Sequence, residues 1–176
     1  MNLKNVPEGK NFPNDLYVII EISLNSCPVV KYEIDKKTGI PFVDRFVPTA
    51  MFYPFNYGYV NNTISLDGDP IDVMIHSYFP LILGSVILCR PIGLLRMSDE
   101  SGEDIKLFVV PHNSITKEFD HINNISEISL IIKERIIHFF KNYKNLEKNK
   151  WVKIYGWENI ESAKNELLIS YNRKKI

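Results

Sequence analysis

Between about residue 16 and residue 112 the chain never runs far without meeting a strand breaker, and that punctuation restricts its folding more than any other feature. Runs rich in β-branched and aromatic residues cover 16–22, 29–35 and 42–46, then 57–60, 71–75, 85–90, 93–97 and 105–111. Asn61-Asn62, Gly68, Pro80, Gly84, Pro91 and Gly102 stand between them. In 29–35, Tyr32 and Ile34 fall on one face and Lys31, Glu33 and Asp35 on the other. Lys36-Lys37-Thr38-Gly39 then reads as the turn of a hairpin onto 42–46. Many short strands leave many unpaired edges, and closing them into a small barrel removes those edges.

After residue 112 the period changes. Ile128, Ile131, Ile132, Ile136, Phe139, Phe140 and Tyr143 form a helical stripe within 127–145. Residues 151–155 read as one more strand. Ile160, Ala163, Leu167, Leu168 and Tyr171 mark a last amphipathic helix, and Arg173-Lys174-Lys175 reads as a frayed, solvated end. The expectation is an α+β fold, mainly β: a closed barrel with the two C-terminal helices on one flank. A length of 176 residues suits a single domain over 1–176.

Lys plus Arg total 21 and Asp plus Glu total 21. That balance argues against a general binder of nucleic acid or membrane, so any anion site must be built locally. Cys27 and Cys89 have no metal-binding spacing and are expected as reduced, structural thiols. Residues 1–15 contain no apolar core of a secretory signal. The apolar stretch 79–89 is broken by Pro80, Gly84 and Ser85 and is too short to span a bilayer. A cytoplasmic location fits.

Against that neutral background, Asp67-Gly68-Asp69-Pro70-Ile71-Asp72 places three carboxylates in six residues. Such repulsion is relieved by a hard divalent cation such as Mg²⁺, which takes oxygen ligands and keeps several waters. In an extended segment Asp67 and Asp69 would share a face, Gly68 would let the backbone approach closely, and Pro70 would turn Asp72 towards them. A polar loop is the plain alternative. A second cluster, Asp99-Glu100-Ser101-Gly102-Glu103-Asp104, follows, with Lys106 two residues beyond Asp104 on the same strand face. Two acidic clusters suggest a multi-metal site of the kind used in phosphoryl chemistry. The glycine and glutamate positions of an EF-hand loop are not met. His76, His112, His121 and His138 lack zinc spacing, and no P-loop or GxSxG motif is present.

The stretch Asp67-Gly68-Asp69-Pro70-Ile71-Asp72 resembles the D-G-D-P-[V/I]-D signature of soluble family I inorganic pyrophosphatases of the bacterial type. Lys31-Tyr32-Glu33-Ile34-Asp35, Phe42-Val43-Asp44-Arg45-Phe46, Thr49-Ala50-Met51-Phe52-Tyr53-Pro54, Asn56-Tyr57-Gly58-Tyr59 and Tyr143-Lys144 match in order. The resemblance implies a five-stranded, OB-like closed barrel with flanking helices. It also implies hydrolysis of inorganic pyrophosphate to two orthophosphates through a metal-activated water. Asp67, Asp72, Asp99 and Asp104 would hold several Mg²⁺ ions, with Glu21 and Glu33 contributing and Mn²⁺ or Zn²⁺ as substitutes. Asp69 would be the general base, supported by Tyr53. Lys31, Arg45, Tyr57, Lys106, Tyr143 and Lys144 would bind phosphate. The resemblance further implies a homohexamer, a dimer of trimers, with no nucleic-acid or membrane partner. Three departures stand out: one extra residue in the 25–30 loop, Pro48 in place of a small polar residue, and Asn142 where a second intertrimer histidine often stands beside His138. Two rival readings follow from the residues. An OB-type nucleic-acid module is opposed by the acidic clusters. A hydrolase of organic diphosphates is opposed by the lack of an evident nucleoside pocket.

Overall fold

In the computed structural model, which describes residues 3–175, the strand runs become β1 (Leu16–Ile22), β2 (Val30–Ile34), β3 (Pro41–Phe46), β4 (Asn56–Tyr59), β5 (Asp72–Ile75), β6 (Val86–Asp99), β7 (Gly102–Pro111) and β8 (Val152–Glu158). The helices are α1 (Leu130–Asn142) and α2 (Ile160–Lys175). Sheet order β1-β4-β5-β7-β6 closes on itself because β1 also pairs with β6, from Leu16 opposite Cys89 to Ile19 opposite Val86. The result is the expected ring of five strands, with β8 added outside β6. The β5–β7 pair is parallel, setting Asp72 opposite Lys106.

Alternation within the ring strands supplies two cores. Ile105, Leu107 and Val109 of β7 join Val73 and Ile75 of β5, and Ala163 and Leu167 of α2 pack on them. The other face carries Phe108, Val110 and Met74, covered by Ile136, Phe139 and Phe140 of α1. The helices therefore flank the barrel as expected, but each serves a different core. At Leu130, α1 begins later than the stripe suggests, because 125–127 form a separate 3₁₀ turn. Ile131, on the expected stripe, is exposed.

Two strand signals, 85–90 and 93–97, prove to be one strand of 14 residues. Pro91 does not end it, since the register shift between Pro91 and Gly93 forms a bulge that tolerates a missing donor. Gly93 permits this course: a Cβ there would lie 2.8 Å from the Ile125 Cβ. The basic end is not frayed either. Helix α2 continues through it, and Arg173 donates from NH1 to the Ile64 carbonyl at 2.5 Å. Both cysteines are free thiols, Cys27 exposed and Cys89 buried on β6. No helix among the described residues is long and apolar enough to cross a membrane.

The hairpin β2–β3 forms its own two-stranded sheet. Phe42 and Phe46, spaced as an inward face, are both exposed, as is Val43 between them. The ribbon is tied to the barrel at Ile34, which is buried beside Ile19 and Tyr59 and donates its N–H to Glu21 Oε1 at 2.9 Å.

Candidate active site

One cavity of about 630 Å³ opens between the hairpin, the 66–72 loop, the β6–β7 turn and the end of α1. All fourteen residues singled out in the sequence line it, from Glu21 to Lys144. Their supports differ. Glu21 is the penultimate residue of β1, and Tyr57 lies on β4 with Tyr53 just before that strand. Asp72 opens β5, while Asp104 and Lys106 share one face of β7. Tyr143 caps α1, held by its backbone N–H to the Phe139 carbonyl at 2.9 Å and stacked on the Phe139 ring at 5.0 Å. Tyr53 also packs on Phe139, with ring centroids 4.6 Å apart.

The 66–72 loop is a turn, not an extended strand. Gly68 sits at φ +92°, with open space where a Cβ would be, so its role is the left-handed backbone and not a close approach. The Asp69 N–H donates to Asp67 Oδ1 at 3.0 Å, and the turn thereby brings both carboxylates to the cavity.

Charge in the cavity is out of balance. Nine acidic residues line it (Glu21, Glu33, Asp35, Asp67, Asp69, Asp72, Asp99, Glu103 and Asp104), against five basic ones (Lys31, Lys36, Arg45, Lys106 and Lys144). Lys106, only 6% exposed, bonds both Asp72 and Asp104, the latter at 2.7 Å. Lys144 Nζ lies 2.7 Å from Asp99 Oδ2, Lys31 Nζ 2.5 Å from Glu33, and Lys36 Nζ 2.6 Å from Glu21. Burial pushes the Asp104 carboxyl above its usual range; Lys106 opposes this and Asp72 adds to it. Burial also raises Glu21 against the pull of Lys36, and raises Asp67, whose neighbours Asp72 and Asp69 push the same way. Lys106 is lifted well above the ordinary lysine value, because Asp104 and Asp72 outweigh its desolvation. Burial likewise raises Tyr53, Tyr57 and Tyr143, so all three stay as protonated phenols able to donate.

This chemistry fits Mg²⁺. The lining offers oxygen donors with no His or Cys, the acids are in excess, and Asp67 and Asp104 are pushed towards neutrality by burial and by neighbouring acids. Among the described residues no three acids, histidines or cysteines already form a closed cage. Mg²⁺ does not require one, since it binds through one or two carboxylates and waters.

Three participants escaped the sequence reading. Lys36 sits over the Tyr59 ring at 3.5 Å while pairing with Glu21, yet in sequence it is one of two lysines in a turn. Asp44 bridges Lys31 and Arg45, at 3.3 and 2.5 Å. Glu147 touches Arg45 from 102 residues away, a distance that no local signal spans.

A family model described as inorganic pyrophosphatase matches residues 18–175. The chain is 57% identical over 175 residues to the inorganic pyrophosphatase of Escherichia coli K12, covering 99% of both chains. It is 56% identical over 173 residues to that of Vibrio vulnificus YJ016, covering 98% of each. The fold superposes on an inorganic pyrophosphatase from Coxiella burnetii with a TM-score of 0.92 at 44% identity, over 96% of this chain and 99% of that one. For the Thermus thermophilus enzyme the values are 0.93 and 39%, over 100% of both. With this fold, this motif order and these relatives, the chain belongs to the inorganic pyrophosphatase family, in its bacterial, family I form.

Proposed function

We propose that the chain, acting as one domain over residues 1–176, hydrolyses inorganic pyrophosphate to two orthophosphates with Mg²⁺. The supporting observation is the cavity's surplus of acids beside buried cationic and phenolic donors. A polyanion cannot enter such a site without added cations, and the basic groups stand ready to hold it once those cations are present. Asp67, Asp72, Asp99 and Asp104 would hold the metal, with Glu21 and Glu33 as further acidic contributors; Mn²⁺ or Zn²⁺ could substitute. Bound there, Mg²⁺ neutralises phosphate oxygens and lowers the pKa of water towards neutrality.

The protein's own groups do the rest. Asp69 carries an exposed carboxylate at the cavity with no cation or donor partner among the described residues, so it is available to accept a proton as general base. Lys31, Arg45, Lys106 and Lys144 offer fixed positive charge to the phosphates, and Tyr57 and Tyr143 donate phenolic hydrogen bonds. Tyr53, buried against Phe139, holds the phenolic cluster in place. Because these donors are already oriented, charge building on the leaving phosphate needs little reorganisation.

The same reading places the enzyme in the cytoplasm as a homohexamer, a dimer of trimers, without nucleic-acid or membrane partners. In support, the outer face of α1 carries exposed Leu130, Ile131 and His138, next to exposed Phe52 and Tyr78. The test is phosphate release from pyrophosphate with Mg²⁺, with chelator, and with ATP as the control substrate. Fast release from pyrophosphate alone, abolished by chelator, is expected. Asp69→Asn should fold and bind Mg²⁺ normally but lose on the order of 10²–10⁴ in rate. Folded wild-type protein that releases nothing would remove the reading, and near-normal turnover by Asp69→Asn would remove Asp69 as the base.

A further inference from the structure

Lys31, Glu33 and Arg45 reach the cavity from the β2–β3 ribbon, which lies outside the barrel sheet. A two-stranded ribbon is marginal alone; this one is anchored to the barrel at Ile34 of β2, while Phe42, Val43 and Phe46 of β3, the strand that carries Arg45, are exposed. The Arg45 guanidinium itself is fixed by two bonds. One bond stays within the ribbon, from NH1 to Asp44 Oδ2 at 2.5 Å. The other leaves it, from Nε to Glu147 Oε2 at 3.1 Å.

Glu147 lies on the turn that follows α1. Its backbone N–H donates to the Lys144 carbonyl at 2.9 Å, so one short segment carries Tyr143, Lys144 and Glu147 together. The Glu147 side chain is 13% exposed, and its Oε1 is buried with no hydrogen-bond partner among the described residues. Half of a buried carboxylate left unpaired costs stability, and an apolar side chain of similar size would not carry that cost. What the charge does accomplish is to occupy Nε of Arg45, fixing the plane of the guanidinium and leaving NH2 and part of NH1 for a phosphate.

We propose that Glu147 is a positioning residue, holding Arg45 of the ribbon in register with Tyr143 and Lys144 so that all three grip one substrate. The proposal rests on the pyrophosphatase reading. It differs from a plain anchor between two segments, because losing an anchor would lower stability and leave the folded enzyme's affinity for phosphate unchanged.

The experiment is a double-mutant cycle with Glu147→Gln and Arg45→Ala, reading kcat and KM for magnesium pyrophosphate. Affinity for orthophosphate is measured alongside by titration calorimetry. Glu147→Gln alone should raise KM on the order of tenfold with kcat changed less than about threefold. In the Arg45→Ala background it should change nothing further. Glu147→Asp, which keeps the charge but withdraws it by one methylene, should fall between, and it carries the cycle if Glu147→Gln fails to fold. An unchanged KM in both Glu147 variants, or the same fold-change in both backgrounds, overturns the proposal. If the wild type releases no phosphate, the functional reading has failed, and the calorimetric cycle still decides the role of Glu147.

Discussion

At the scale of single residues the cavity is built from conflicts. Asp67 is exposed at the cavity rim, where desolvation together with Asp72 and Asp69 holds its carboxyl above the ordinary value of 3.8. A raised folded value means that the metal-free fold prefers the neutral acid, so stability falls as the pH rises from the unfolded value through the folded one and stays lower above it. Asp67→Asn should therefore melt higher than wild type at neutral pH in chelator, and the difference should disappear in acid below about pH 3.8. Adding Mg²⁺ should reverse the order, because ligand binding stabilises the wild type by mass action and the variant has lost a ligand. Thermal melts with and without Mg²⁺ check both halves, and a metal-free variant that melts below wild type would contradict the account. The acids of this site were legible in sequence because crowded carboxylates are visible locally. Lys36, Asp44 and Glu147 were not, since each is an ordinary charged residue until folding gives it a partner.

At the scale of elements, strand positions were legible and strand relations were not. β-Branched and aromatic content located β1, and alternation β2 and β3, to within a residue, but nothing local says that β1 closes the ring onto β6 or that β5 and β7 run parallel. Proline at 91 reads as a stop, and only the bulge pairing on β7 reveals one continuous β6. That strand also carries the tie of the outer sheet. Arg96 of β6 donates from Nε to Glu158 at the end of β8 at 2.5 Å and from NH1 to Glu103 of β7. The Arg96 hydrogen bond holds the Glu158 carboxyl below its ordinary 4.5. A depressed value contributes stability above the unfolded pKa and loses it as pH falls through the folded one. The melting difference between wild type and Glu158→Gln should thus be full near neutrality and shrink as the pH drops below 4.5. Solvent screening keeps it to about 1 kcal/mol or less. A difference independent of pH would show that Glu158 acts through packing and not charge.

At the scale of the whole molecule, the exposed face of α1 bears on assembly. His138 stands there beside Asn142, whose amide donates to the His138 carbonyl at 2.7 Å. If six chains assemble through this face, native mass measurement at micromolar concentration should give a six-chain particle, and His138→Ala should shift it to three chains. A single-chain mass for the wild type would remove the hexamer.

The closing of the ring has one more consequence. Asp72 meets Lys106 across 34 residues, and Arg45 meets Glu147 across 102. No contiguous stretch of the chain therefore holds even a diminished version of the cavity. A partly synthesised or clipped chain retains acidic loops and basic strands but no place where they converge. Competence is a property of the finished ring, gained or lost with it as a unit.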